Sequence, residues 1–117
     1  MSLANLPKEY FFKEGCFIQE WHNSSDDEAF SVARVRVEAL AQTRLHALTD
    51  TSERYIILSG QGEVSVDGVL RVVSEGDVVV ILAGQSQKIR NLSTQDLIFL
   101  AVCSPRFQEH NYQDLEI

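Results

Sequence analysis

The sequence is short of basic residues, of cysteine and of long apolar runs, and each shortage closes off a class of protein. Ten Lys and Arg stand against 17 Asp and Glu, for a formal net charge of −7. A nucleic-acid backbone is gripped by clustered cations that neutralise phosphates, and an anionic membrane surface attracts the same cations, so neither is an expected partner. Two cysteines occur, Cys16 and Cys103, far apart and without C-x-x-C spacing. They support no disulfide framework and no thiolate zinc site, and read as two free thiols in a reducing cytosol. Apolar runs such as DLIFLAV (96–102) are too short to span a bilayer. The opening stretch MSLANLPKEYFFKEG has neither an apolar core nor a small-residue cleavage site, so no signal peptide is expected and the location is read as cytoplasmic. There is no internal repeat, no low-complexity stretch, and no helical periodicity before residue 105. No G-x-S-x-G appears, so hydrolase chemistry has no support. The GQG at 60–62 has no following helix and is no phosphate loop.

What the sequence does contain is strand pattern. At 117 residues it is long enough for one packed core and too short for two. SVARVRVE (31–38) alternates, with Ala33, Val35 and Val37 on one face and Arg34 and Arg36 on the other. RYIILSG (54–60) is a β-branched run ending at glycine, and nothing local says whether Tyr55 faces core or solvent. GEVSVDGVLRVV (62–73) reads as a hairpin turning at Asp67-Gly68. GDVVVIL (76–82) is nearly all apolar, which predicts a strand covered on both faces. QKIRN (87–91) and DLIFLAV follow. NSSDDEA (23–29) is a turn-rich acidic loop, residues 1–14 read as an irregular arm anchored by Tyr10, Phe11 and Phe12, and PRFQEHNYQDLEI (105–117) has room for a short turn or helix. Turn signals every 8–12 residues or so point to an all-β sandwich or barrel.

Two spaced motifs sit on these strands. The first reads Leu40, five residues, His46-Ala47-Leu48, four residues, Glu53, six residues, Gly60; the second reads Gly76, five residues, Leu82-Ala83-Gly84, two residues, Gln87, three residues, Asn91. In spacing both resemble the paired motifs of the cupin superfamily, which run G, H-x-H, E, G and then G, P-x-G, H, N. His46, Glu53, Gly60, Gly76, Gly84 and Asn91 agree in kind; Leu40, Leu48, Leu82 and Gln87 depart. The resemblance covers roughly residues 31–107. It implies an all-β, cupin-type jelly-roll β-barrel in a single domain, with the barrel core at about 31–104, an N-terminal arm at 1–30 and a C-terminal tail at 105–117. Small cupins commonly dimerise by lending a strand to a neighbouring subunit. YFF (10–12) and CFIQEW (16–21) are the candidate segments, so a homodimer is expected.

Fold does not settle function. The positions that hold a divalent ion in metal-binding cupins are here His46, Leu48, Glu53 and Gln87. Leucine has no lone pair, and a glutamine carbonyl suits hard cations better than zinc or copper. Catalytic zinc takes three protein ligands, and the non-haem iron triad takes two histidines and a carboxylate. His46, Glu53 and Gln87 fall short of both, so no assured cofactor follows, and any divalent metal is expected to bind weakly unless His22 or His110 completes the set. His46 and Leu48 are two apart on a strand and share a face. Leu48 then turns one side of the site from ligand cage into apolar wall, which suits a small organic ligand with one polar end. Arg44, on the same face by the same spacing, could meet an anionic ligand at the mouth, with His46, Leu48, Glu53 and Gln87 as the other ligand-binding candidates. Arg106 and Phe107 could fold the tail over the opening. The leading expectation is a small-molecule-binding barrel with a depleted metal site. A metal-dependent isomerase or dioxygenase using His46 and Glu53 is the alternative, and a metal-free epimerase in which His46 and Glu53 form a proton-transfer pair is the third.

Overall fold

The computed structural model describes residues 5–116. Its strands are β1 (Tyr10–Phe12), β2 (Cys16–Ser24), β3 (Asp27–Val37), β4 (His46–Leu48), β5 (Ser52–Ser59), β6 (Gln61–Val66), β7 (Val69–Ser74), β8 (Val78–Ile81), β9 (Ser86–Asn91), β10 (Leu97–Ser104) and β11 (Tyr112–Asp114), with a 3-10 turn at Glu109–Asn111. They form two antiparallel sheets in the orders β1-β2-β3-β10-β5-β8 and β11-β4-β9-β6-β7. The two sheets pack face to face as an all-β jelly-roll barrel, as the strand rhythm of the sequence implies.

Alternation decides which side chains meet between the sheets. Across β5, β10 and β3 the inward positions lie in rungs: Ile57, Phe99 and Val35; then Tyr55, Ala101 and Ala33; then Glu53, Cys103 and Ser31. The first rung belongs to a closed apolar core with Val37, Val64, Ile89 and Leu97, each buried side chain worth on the order of 1.5–3 kcal/mol. Along the series the residues become smaller and more polar. Alanine and serine leave space where phenylalanine and isoleucine filled it, so the barrel is solid at one end and hollow at the other.

Turns obey local chemistry. Asp67 and Gly68 both have positive φ, 50° and 81°, the hairpin geometry that an Asp-Gly pair favours. Leu40 also sits at positive φ, 62°. The backbone there has the left-handed shape that glycine takes easily and leucine resists, which accounts for the glycine that heads the first motif in the pattern this chain resembles. At Gly60 (φ +91°) a Cβ would stand 2.8 Å from the Asp96 carbonyl oxygen, so no larger residue fits.

Three expectations change. GDVVVIL is not covered on both faces: β8 is the outermost strand of its sheet, Val79 and Ile81 are buried, and Val78 and Val80 are 47% and 49% exposed. An unbroken apolar run cannot distinguish a central strand from an edge strand whose outer face is also apolar. Residues 10–30 are not merely an arm, because β1, β2 and the start of β3 complete the six-stranded sheet, and β11 draws the tail into the other sheet. Irregularities at Glu20/His22 and His22/Ser24 interrupt the alternation that would have marked β2 as a strand. Finally, YFF and CFIQEW pair with their own chain, β1 on β2 and β2 on β3.

Candidate functional site

The hollow end of the barrel holds a cavity of about 50 Å³, several times the space one water needs. His46 opens β4 in the five-stranded sheet, and Glu53 lies on β5 in the six-stranded one. The residues between them carry the chain from one sheet to the other. Two side chains seven positions apart therefore enter the cavity from opposite walls. Leu48 joins them, and Phe12, Tyr55, Phe99 and Phe107 supply an aromatic lining. Phe107 of the tail thus lines the cavity, while Arg106 turns away to Asn23 and Glu28.

His46 is 2% exposed. Its Nδ1 lies 2.6 Å from the Arg44 carbonyl oxygen. A carbonyl only accepts, so Nδ1 carries the proton and Nε2 presents a lone pair. Burial holds the imidazole below its ordinary pKa, against smaller opposing effects from that carbonyl, Asp114 and Glu116. The ring stacks on Tyr112 at 5.2 Å. The carboxyl within reach of Nε2 is Glu14 at 3.5 Å, not Glu53. The expected His46–Glu53 pair is therefore replaced by a His46–Glu14 pair. Glu14 lies in the turn after β1, and its carbonyl accepts from Arg44 N at 2.7 Å, which docks that turn against the segment leading to β4.

Glu53 is 9% exposed, and its Oε1 has no hydrogen-bond partner. The Cys103 thiol donates weakly to Oε2 at 3.8 Å. Burial pushes the Glu53 carboxyl up to about 7, only partly offset by Gln87 and Cys103. Burial, and then the nearby charge of Glu53, push Glu14 up to about 8. Gln87 is the cross-strand neighbour of His46. It is fully buried; its Oε1 accepts from the Tyr55 hydroxyl, and its Nε2 is left without a partner.

Arg44 does not enter the cavity. Its Nε donates to Asp114 Oδ2 at 2.9 Å and its Nη2 to the Glu116 carbonyl at 2.8 Å. The two-residue period fails here because β4 begins only at His46, so Arg44 precedes the strand. His22 pairs with Asp27 at 2.8 Å in the β2–β3 hairpin, and His110 is exposed in the 3-10 turn. Neither lines the cavity. Two cavity carboxyls escaped the sequence reading. Glu20 was legible, because alternation from Cys16 through Ile18 puts it on their face. Glu14 was not: it belongs to no motif, and only the docking of its turn brings it to His46.

A family model described as the Cupin domain matches residues 32–103. The chain belongs to the cupin family. An uncharacterized protein of Methanocaldococcus jannaschii is 28% identical over 111 residues, which cover 93% of this chain and 89% of that one. Among solved structures, Streptomyces PAC13 with uridine superimposes with a TM-score of 0.81 at 17% identity, over 99% of this chain and 89% of that one. The same neighbour is described elsewhere as a nucleoside dehydratase. KdgF from Halomonas gives a TM-score of 0.78 at 17% identity, over 89% and 91% of the two chains. At such identities these structures establish the fold alone.

The donors of this cupin do not fit the four-ligand ion site of its metal-binding relatives. Leu48 offers no lone pair. The Gln87 carbonyl oxygen already accepts from Tyr55, and its unbonded Nε2 can only donate and is no ligand. Among the described residues, no three His, Cys, Asp or Glu side chains are grouped to hold a metal ion.

Proposed function

We propose that this cupin binds a small organic molecule in the cavity between its sheets, at a site that needs no metal ion. One observation carries the reading: Glu53 faces the cavity with its Oε1 buried and unbonded, beside walls that include Leu48 and aromatic rings, while Gln87 is fully buried and does not line the cavity. A folded protein rarely leaves such a group unsatisfied unless something else meets it, and a ligand with a polar end and an apolar body satisfies both the carboxyl and the apolar wall. Elemental analysis of untagged protein purified without chelator tests the metal half of this reading. Metal far below one equivalent per chain is expected. Near-stoichiometric metal that disappears in Glu53→Ala would overturn it.

Proton transfer is a second reading, favoured by the His46–Glu14 geometry. A neutral imidazole with its lone pair turned inward is a base, and a carboxyl held protonated by burial is an acid. His46→Gln should then abolish exchange of ligand protons with solvent deuterium while leaving ligand-induced stabilisation in place. Exchange that persists in that variant would remove His46 from the chemistry.

The rest of the reading is a cytoplasmic homodimer. Cys16 and Cys103 are both free and buried, in line with a reducing compartment. A second copy would pair along β1, the outermost strand, and not at β2. No helix among the described residues is long and apolar enough to cross a membrane.

A further inference from the structure

Three carboxyl groups line the cavity, Glu14, Glu20 and Glu53, and no lysine or arginine does. Nearby cations are engaged elsewhere. Lys13, next to Glu14 in the chain, reaches Glu109. Arg34 and Arg36 meet Glu9, Arg44 meets Asp114, and Arg106 meets Glu28. Glu20 has Tyr10 as a donor at 3.4 Å. Glu53 Oε1 has none, although the side chain is more than nine-tenths buried and faces the cavity. Carboxyls gathered in a dry pocket disfavour an anionic ligand and hold their protons, because a buried, unmatched carboxylate is costly; a cation seated between them would match that charge and release the protons. The rest of the wall sets Phe12, Tyr55, Phe99 and Phe107 among aliphatic and small side chains, and aromatic rings carry a quadrupole whose negative faces attract cations. Charge and rings thus favour the same kind of guest. The 50 Å³ of space admits only a few heavy atoms.

We propose that the cavity takes a small organic ammonium ion, a primary amine with a short apolar tail, its nitrogen between Glu14 and Glu53 and its tail against Leu48 and the aromatic rings. The proposal rests on the reading of the cavity as a ligand site and narrows the class of ligand.

Calorimetry at neutral pH with three probes of matched shape, n-butylamine, n-butanol and butyrate, tests it on the full chain. The amine should bind about tenfold or more tighter than the alcohol, a difference of about 1.4 kcal/mol, and butyrate should not bind. Glu53→Gln and, separately, Glu14→Gln should each erase the preference for amine over alcohol while the alcohol still binds; the two variants guard against a folding defect in one. Butanol or butyrate binding as well as butylamine would overturn the ammonium assignment and leave the cavity a ligand site. An amine preference that survives in both variants would place the nitrogen elsewhere and equally overturn it. Failure of all three probes to bind would overturn the cavity reading along with it.

Discussion

The melting temperature of this protein should fall as the pH is raised from 6 to 8, the reverse of the usual behaviour of a protein stabilised by ionised carboxylates. The cause is the pair of carboxyls at the hollow end of the barrel. Both ionise near 4.5 in the unfolded chain, whereas burial raises Glu53 to about 7 and Glu14 to about 8 in the folded one. Between those limits the folded state binds more protons than the unfolded state, so stability declines with pH. What the two groups contribute is fully present below about 4.5 and is lost as the pH passes through 7 and 8. His46 acts in the opposite sense, because its folded pKa is depressed. Its contribution is fully present above about 6.5 and is lost in acid, so it offsets part of the decline at the lower edge of the window. Each carboxyl supplies a slope of up to about 1.4 kcal/mol per pH unit. Even with mutual coupling, the loss from pH 6 to pH 8 should be on the order of 3 kcal/mol, or roughly 12 °C or more in melting temperature. Thermal melts across this range check it. Glu14→Gln and Glu53→Gln should each flatten the profile and raise stability at pH 8. A wild-type profile that is flat or rising would show that the two carboxyls are ionised in the folded state.

Asn91→Ala should destabilise the fold by about 3 kcal/mol, enough to lower the melting temperature by some 12 °C or more. Asn91 is 1% exposed. Its Nδ2 donates to the carbonyls of Val37 at 3.0 Å, Glu38 at 3.2 Å and Gln95 at 2.6 Å, and its Oδ1 accepts from the Ser93 amide at 2.9 Å and the Ser93 hydroxyl at 3.1 Å. One side chain thus ties the end of β9 to the end of β3, which belongs to the other sheet, and also shapes the turn that leads into β10. Alanine removes the donors to Val37, Glu38 and Gln95 and frees the turn. Urea denaturation of the variant measures the loss. A change below about 1 kcal/mol would mean that water replaces the amide, and that the side chain is not the clasp its contacts describe.

The asparagine shows how far each level of description reaches. Its place at the end of the second motif is plain in the sequence, as are the strand rhythm, the Asp67-Gly68 hairpin and the leucine and glutamine standing at ion-ligand positions. These are local matters: alternation of apolar residues, turn chemistry, and the presence or absence of a lone pair on a side chain. Much of the barrel and the spacing of His46, Leu48 and Glu53 could be read from them. Where the signal is not local, reading along the chain fails. Arg44 shares the period of His46 but precedes the strand, so its side chain turns out to Asp114. The apolar run of β8 lies at an edge. β2 is broken by irregularities that blur its alternation.

By itself the sequence determined the all-β class through its periodicity, and its likeness to the cupin motifs supplied the two-motif frame and the ligand positions at which Leu48 and Gln87 stand. The tertiary structure alone decided that His46 answers to Glu14 and not to Glu53, that Glu53 and Gln87 end as unsatisfied neighbours, and that three carboxyls converge on one cavity with no cation among its walls. Those facts depend on which strands become neighbours and which turns dock on them. Folding sets both by burying the apolar core as a whole, and no window of sequence carries that information.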